Sequence, residues 1–425
     1  MRIICAPQNA LPSPPPADTL CFVLYGNSDQ AQVGSVGGSL LGMISRSGLS
    51  PNTRAWDLLS IALGVVAADS AVSRSRSSDG WTRVIELSVS LIDPDFWAPQ
   101  ATAIASALRF LTGDIWSLSF TAGNSTPPPP RRPVLPQEDS ICLLSGGMDS
   151  LVGALDLSAQ NRHPILVSQV SRGDKSSQRN FARQIGGGLR HLQLNHCAYP
   201  PGDIEHSQRS RSLIFIAYGV LAAASLDKHI QGERVDLFIP ENGFISMNVP
   251  LTPLRLGSLS TRTTHPFFLK SLQAVLDVAE CRVNLTNPYQ FKTKGEMLSG
   301  CQNQQMLLRN AFDATSCGRF SRMGYVHCGR CVPCLVRRAA VHLWGQADGT
   351  IYRYSNLSIA DSSHRDFDDV RAAAVAMEQV RRYGLGSWIG GALNYAQIGD
   401  TTPYKAVIER GLGEIEGFLR FSGVL

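Results

Sequence analysis

The stretch ICLLSGGMDS, residues 141–150, carries the residue types of a phosphate-binding turn. An apolar run stops on Gly146 and Gly147, Ser145 and Ser150 flank the pair, and Asp149 stands just behind. Paired glycines let a backbone pass through positive φ and approach a ligand closely. A helix starting near Asp149 offers free N–H groups and a partial positive charge to an anion. Leu144, Ser145, Gly146, Gly147, Met148, Asp149 and Ser150 are therefore the candidate nucleotide-binding residues. Two anions repel, so Asp149 is out of place in a loop that only binds phosphate. It fits if it orients a magnesium ion or caps backbone donors. The bland alternative is a tight strand-to-helix turn with an aspartate near the helix start. A G-x-x-x-x-G-K-[ST] lysine is missing from this stretch, so it is not a Walker A loop.

A second constellation lies downstream. Cys317, Cys328, Cys331 and Cys334 follow the spacing C-x10-C-x2-C-x2-C. Two residues between cysteines is the usual spacing of tetrahedral zinc ligands, and Gly329 and Pro333 suit a tight knuckle. Four thiolates close the coordination sphere, which makes the metal structural and not a Lewis acid. An iron–sulfur cluster takes the same ligands, and a redox pair is a third reading. His327 is adjacent, as a further ligand or as a capping histidine.

Together these motifs carry a resemblance. S-G-G-x-D-S after a strand resembles the PP-loop ATP pyrophosphatases, which split ATP between the α and β phosphates. Adding Ser316-Cys317 and Cys328-Gly329-x-Cys331-x-x-Cys334-x-x-Arg337, the chain is similar to the 7-cyano-7-deazaguanine synthase (QueC) family. NPYQFKTKGEML resembles a further segment of that family and places Thr293, Lys294 and Glu296; SRSLIFIAYGVLAAA resembles its R-N helix, with Arg211 matched and Ser212 where Asn is usual. The likeness spans roughly residues 140–344. The front domain, the C-terminal extension and the long stretch PENGFISMNVPLTPLRLGSLSTRTTHPFF set the chain apart from the housekeeping enzymes. They are similar to the QatC group of the Qat anti-phage defence systems.

The resemblance implies an ATP-consuming carbon–nitrogen ligase using ATP, Mg2+ and a structural Zn2+. Its substrate would be a 7-deazaguanine-type carboxylate, and partner proteins of a defence operon would be conjugation acceptors. It implies catalytic roles for Asp149, Lys294 and Arg211, the two cations offsetting charge that develops on ATP. The long stretch follows a strand and so hangs over the carboxyl edge of the sheet. There Glu241 and Asn242 suit a purine-like edge, and Arg255 and Arg262 suit a carboxylate or phosphate. The rivals are a tRNA thiolase of the same superfamily and a non-catalytic nucleotide-sensing scaffold.

The elements that must hold these residues follow from pattern. After residue 139, short apolar strands alternate with helices, which predicts a parallel sheet covered on both faces, a PP-loop (HUP-type) α/β domain over 139–345. Six prolines in the eleven residues 126–136 predict an extended linker, taken as 126–138. Before it, 1–125 reads as an α+β accessory domain, with strands TLCFVLYG, IELSVSLI and IWSLSF and an amphipathic helix RAWDLLSIALGVVAADSAV. From 346 to 425 the pattern is a helical extension. With 44% hydrophobic and 17% charged residues the chain is globular, and its net charge of +5 is too weak an excess to argue for nucleic acid as a required partner. The sequence contains no apolar run of bilayer length, and prolines interrupt any signal-like N-terminus. Clustered cysteines point to a reducing compartment, so the expected location is cytoplasmic, with no membrane association.

Overall fold

The computed structural model describes residues 1–171, 173–252, 262–358, 369–393 and 395–425. Ten strands form two five-stranded sheets, and every pairing in both is parallel. The first sheet uses β1 (Arg2–Ala6), β2 (Thr19–Leu24), β3 (Val33–Val36), β4 (Val84–Leu91) and β5 (Ile115–Ala122), in the order β3-β2-β1-β4-β5. The second uses β6 (Ser140–Leu143), β7 (Pro164–Gln169), β8 (His191–Leu194), β9 (Val235–Phe238) and β10 (Val283–Thr286), in the order β10-β9-β6-β7-β8. Numbered from its own first strand, each sheet has the same order. The front part is therefore a parallel α/β unit and not the α+β domain expected from its sequence. Its central strand, RIICA, was not among the expected strands. Five residues before a proline-rich loop give too short a pattern to announce themselves.

The alternation in β4 and β5 has a physical cause. One face of the first sheet carries Ile85, Leu87, Val89 and Trp116 into the core, while Glu86, Ser117 and Ser119 face outward. Helices Thr53–Ala71 and Ala101–Thr112 cover the inner face. The first of these is not amphipathic, as its sequence suggested, because every residue from Ala55 to Ser70 is buried. It is sandwiched between the first sheet and helix Arg211–Ala223 of the second, and a helix enclosed on all sides needs no polar face. Helix Ala101–Thr112 packs in the same way against helix Pro266–Val278. Each pair joins equivalent crossovers, β3→β4 with β8→β9 and β4→β5 with β9→β10, as in an isologous contact. A continuous hydrophobic cluster runs through both sheets and all four helices.

The proline-rich segment runs without helix or strand over the surface, tied by Arg131 N–H to Ser45 C=O and Val134 N–H to Gly48 C=O. At the other end, helices Asp369–Tyr383 and Thr402–Phe421 pack around helix Val332–Trp344. Among the described residues no helix is long and apolar enough to cross a membrane.

Candidate functional site

The glycine turn stands where the second sheet changes direction. From β6 the chain proceeds outward through β7 and β8, then returns to β9 on the other side. The crevice between the carboxyl ends of β6 and β9 is where open α/β sheets bind ligands. Gly146 has φ 91°, which an L side chain rarely adopts, and a Cβ there would stand 3.1 Å from Asp174 Cβ. Gly147 caps helix Met148–Ala159, and its N–H donates to Ser145 Oγ at 3.1 Å. Ser150 Oγ lies 3.0 Å from Ser145 Oγ and donates to Gly147 C=O at 2.9 Å. Gln178 Nε2 donates to Ser145 C=O at 2.9 Å, fixing the turn from the next helix, Lys175–Gln184. Leu144 and Met148 are buried and anchor the turn in the core.

Asp149 is buried on the next step of the helix, and both its oxygens are engaged. Oδ1 accepts from the Lys294 ammonium; Oδ2 accepts Asn242 N–H at 3.1 Å and Asn242 Nδ2 at 2.7 Å. Burial opposes its ionisation, but Lys294 and the hydrogen bonds to Glu241 and Asn242 bring the carboxyl down to about 2. Glu241 is the converse: burial and the Asp149 charge push its carboxyl well up. Asp149 thus holds one backbone donor, Asn242 N–H, together with the Lys294 ammonium and the Asn242 amide. Among the described residues the four cysteines are the one group of three or more potential ligands close enough to hold a metal ion.

Lys294 opens the short helix Lys294–Ser299, and its cap is unusually well held. Thr293 and Glu296 form a capping box, with Thr293 Oγ1 taking Glu296 N–H at 3.1 Å and Glu296 Oε2 taking Thr293 N–H at 2.9 Å. Helix Thr402–Phe421 braces it: Glu414 accepts the Thr293 hydroxyl and Gly295 N–H, and Arg410 pairs with Glu296. Nothing in the extension's sequence marked Glu414, because its partners lie more than a hundred residues upstream.

The four cysteines converge. Their sulfurs all lie within 4.8 Å of one another, with Cys317–Cys331 at 3.9 Å and Cys328–Cys334 at 3.8 Å. A tetrahedron of Zn–S bonds of about 2.3 Å has edges of about 3.8 Å, so this set fits a structural metal such as zinc. Backbone N–H groups of Arg319, Cys328 and Cys331 point at the sulfurs, at 3.3 Å each. Gly329 makes the knuckle possible, with φ 87° and a Cβ position only 2.3 Å from Tyr354 C=O. His327 is not among the ligands; its Nε2 accepts Ser316 N–H at 3.2 Å, and burial keeps the ring neutral, down at about 4.

The knuckle is wired to the glycine turn. Arg337, three residues after Cys334, is fully buried and donates to Ala311 C=O, Ala314 C=O, Ser316 Oγ and Thr350 Oγ1 at 2.7–3.1 Å. It holds the 311–316 segment, from which Thr315 N–H donates to Gly146 C=O at 3.0 Å. A metal in the knuckle would therefore steady the turn through one arginine and one loop.

Two cavities meet at this turn. The smaller, about 210 Å³, is lined by Gly147, Asp149, Glu241, Lys294, Thr315 and Ser316. The larger, about 700 Å³, extends from Gly147 and Ser150 past Gln169, Phe215 and Ile239 to Arg209 and Arg211. Arg211, the first residue of its helix, is exposed on this wall and has no hydrogen-bond partner among the described residues. Asp174, which belongs to no motif of the sequence, also lines the larger cavity, with Oδ1 unpaired. Asn242 is spent inside the protein: its side chain caps Ile245 N–H at 2.9 Å and donates to Asp149. Arg262 is not brought to the site; it stacks 4.8 Å over Phe110 and donates to that residue's C=O at 3.4 Å. Arg255 lies outside the described residues. Comparisons with family models, curated proteins and solved structures return no match for this chain.

Proposed function

We propose that this chain is an ATP-dependent, QueC-like enzyme of the QatC kind, which adenylates a 7-carboxy-7-deazaguanine-type carboxylate in an anti-phage defence system. The observation that carries the reading is the glycine turn at the sheet's switch point, opening onto a cavity that Arg211 lines without a hydrogen-bond partner among the described residues. Ser145, Ser150 and the first N–H groups of helix Met148–Ala159 supply donors for a polyphosphate. The substrate carboxylate oxygen attacks the α-phosphorus, the α–β P–O bond breaks, and pyrophosphate leaves on the glycine turn. An amine then attacks the acyl carbon, a C–N bond forms, and AMP departs with the bonding pair of the acyl–oxygen bond. The amine belongs to ammonia, giving an amide, or, in the defence setting, to a partner protein, giving a conjugate; a nitrile needs a second ATP, which adenylates the amide oxygen so that AMP leaves with that oxygen as the nitrogen gives up its two protons.

Each named side chain has work in this scheme. Lys294 has three N–H donors and gives one to Asp149, so the others remain for an oxygen developing charge in the smaller cavity. Arg211 faces the larger cavity, where a carboxylate substrate would sit. Glu241, its carboxyl pushed well up by burial and the Asp149 charge, stands on the border of both cavities, where it can meet the substrate. A metal in the cysteine knuckle would supply rigidity alone, since four thiolates leave no open position. A sulfur-carrying reading draws no support from Cys142 and Cys301, whose thiols burial pushes up to about 12.

The test is the identity of the nucleotide product. Incubation with ATP, 7-carboxy-7-deazaguanine and an amine source should yield AMP and pyrophosphate in equal amounts. Formation of ADP, or AMP release that ignores the carboxylate, would remove the proposal.

A further inference from the structure

The two halves are stitched together along one segment, residues 196–210, which leads from β8 to helix Arg211–Ala223. Ser35 and Tyr199 exchange both backbone hydrogen bonds, at 2.9 and 2.8 Å, and Gly37 N–H donates to His196 C=O at 2.6 Å. Glu205 N–H donates to Ser70 C=O at 2.8 Å, while its carboxylate takes Arg74 N–H at 2.8 Å and Ser207 N–H at 2.6 Å. At the end of the segment stands Asp69, the third-last residue of helix Thr53–Ala71 and fully buried. Its Oδ2 accepts two successive N–H groups, Arg209 at 2.7 Å and Ser210 at 2.8 Å. Its Oδ1 accepts Arg83 Nη2 at 2.6 Å, and Arg83 is itself pinned by Asp114 Oδ2 at 2.6 Å and Val72 C=O at 2.9 Å. The carboxylate therefore cannot turn.

We propose that Asp69 is a positioning residue: a carboxylate of the first sheet that holds the Arg209–Ser210 turn and so sets where Arg211 stands in the larger cavity. Ser210 makes no side-chain cap of its own for helix Arg211–Ala223, and the N–H groups just before that helix are satisfied from 140 residues upstream. Negative charge before a helix N-terminus is favourable. Gln208, Arg209, Arg211 and Ser212, in and on either side of this clamp, line the cavity, whereas no residue of the first sheet or its helices lines it. The front half thus acts on the site at second hand, through the backbone it holds. The link from Asp69 to catalysis rests on the adenylation reading; the link from Asp69 to the backbone does not.

The experiment has two arms on the full-length protein. In the first, hydrogen exchange is followed by mass spectrometry in Asp69→Asn and in the milder Glu205→Ala, which leaves the Asp69–Arg83 network intact. Amides of residues 205–213 should exchange faster in both variants, while those of 144–150 and of β1 and β4 keep their rates. Unchanged exchange over 205–213, or faster exchange throughout the first sheet, overturns the proposal. In the second arm, kcat/KM for AMP formation is compared among Asp69→Asn, Arg211→Ala and the double variant. Asp69→Asn should lose on the order of 10- to 100-fold, as expected for a misplaced side chain, and the double variant should be no worse than Arg211→Ala alone. Additive losses overturn the role assigned to Asp69. If the unaltered protein forms no AMP, the adenylation reading falls, and the exchange arm still decides whether Asp69 holds this wall.

Discussion

At the scale of single residues, the site is governed by which carboxylates keep their protons. Asp149 is held down at about 2 and the Glu241 carboxyl is pushed well up, although they are neighbours across one asparagine. The signs give opposite stability profiles. Asp149 contributes stability above its unfolded value, near 3.8, which is lost as pH falls toward 2. Glu241 takes up a proton on folding, so its contribution falls as pH rises above its unfolded value of 4.5. Glu241→Gln should therefore be more stable than the unaltered protein at pH 8 and no more stable at pH 4, measured as thermal midpoints across that range. A gain that persists unchanged at pH 4 would contradict the assignment. The turn itself was legible in sequence, since S-G-G-x-D-S after an apolar run announces a strand-to-helix turn. The partners of its residues were not. That Asp149 faces Lys294 and Asn242 depends on three chain segments meeting, and local pattern carries no record of that. For the same reason Asn242 was expected to face a substrate and instead caps a short helix, and Arg262 was expected in the site and instead stacks on Phe110.

At the scale of elements, the cysteine knuckle and the glycine turn form one device joined by Arg337 and the 311–316 segment. The knuckle was readable from spacing alone because C-x2-C-x2-C forces its ligands together locally. The role of Arg337 was not, since four acceptors from two distant segments converge on it. Removing the metal with a chelator should loosen helix Val332–Trp344 at its start and, through Thr315, weaken polyphosphate binding. Pyrophosphate titration of chelated and zinc-restored protein checks this, with unaltered affinity after verified metal loss as the contrary result. Arg337→Met should mimic part of the effect with metal bound, costing about 3 kcal/mol of stability because buried carbonyls lose their donors. Chemical denaturation of the zinc-loaded variant reads that difference.

At the scale of the whole molecule, the chain is two sheets of one strand order set face to face through their helices. Strands and helices of the second sheet were legible because each is a short apolar run followed by a periodic helix. The first sheet was only half legible: the alternation in β4 and β5 is real, but parallel pairing around a hidden β1 could not be read from it. The buried helix Thr53–Ala71 has a sequence consequence seen only in the assembled fold, namely Asp57, Ser60 and Asp69 enclosed with their partners. Because one core spans both sheets, residues 1–125 and 126–425 produced as separate chains should be insoluble or unfolded alone and recover structure when coexpressed. Circular dichroism of each piece reads this, and two independently cooperative pieces would contradict it. The central claim is narrower, that the turn at Ser145–Ser150 holds the polyphosphate of ATP for cleavage between its α and β phosphates. The most direct measurement is a crystal structure with α,β-methylene-ATP, whose α–β bond resists cleavage. The β and γ phosphates are expected on the N–H groups of Gly147 to Ser150, with the α-phosphorus facing the larger cavity. A polyphosphate bound anywhere else would contradict it.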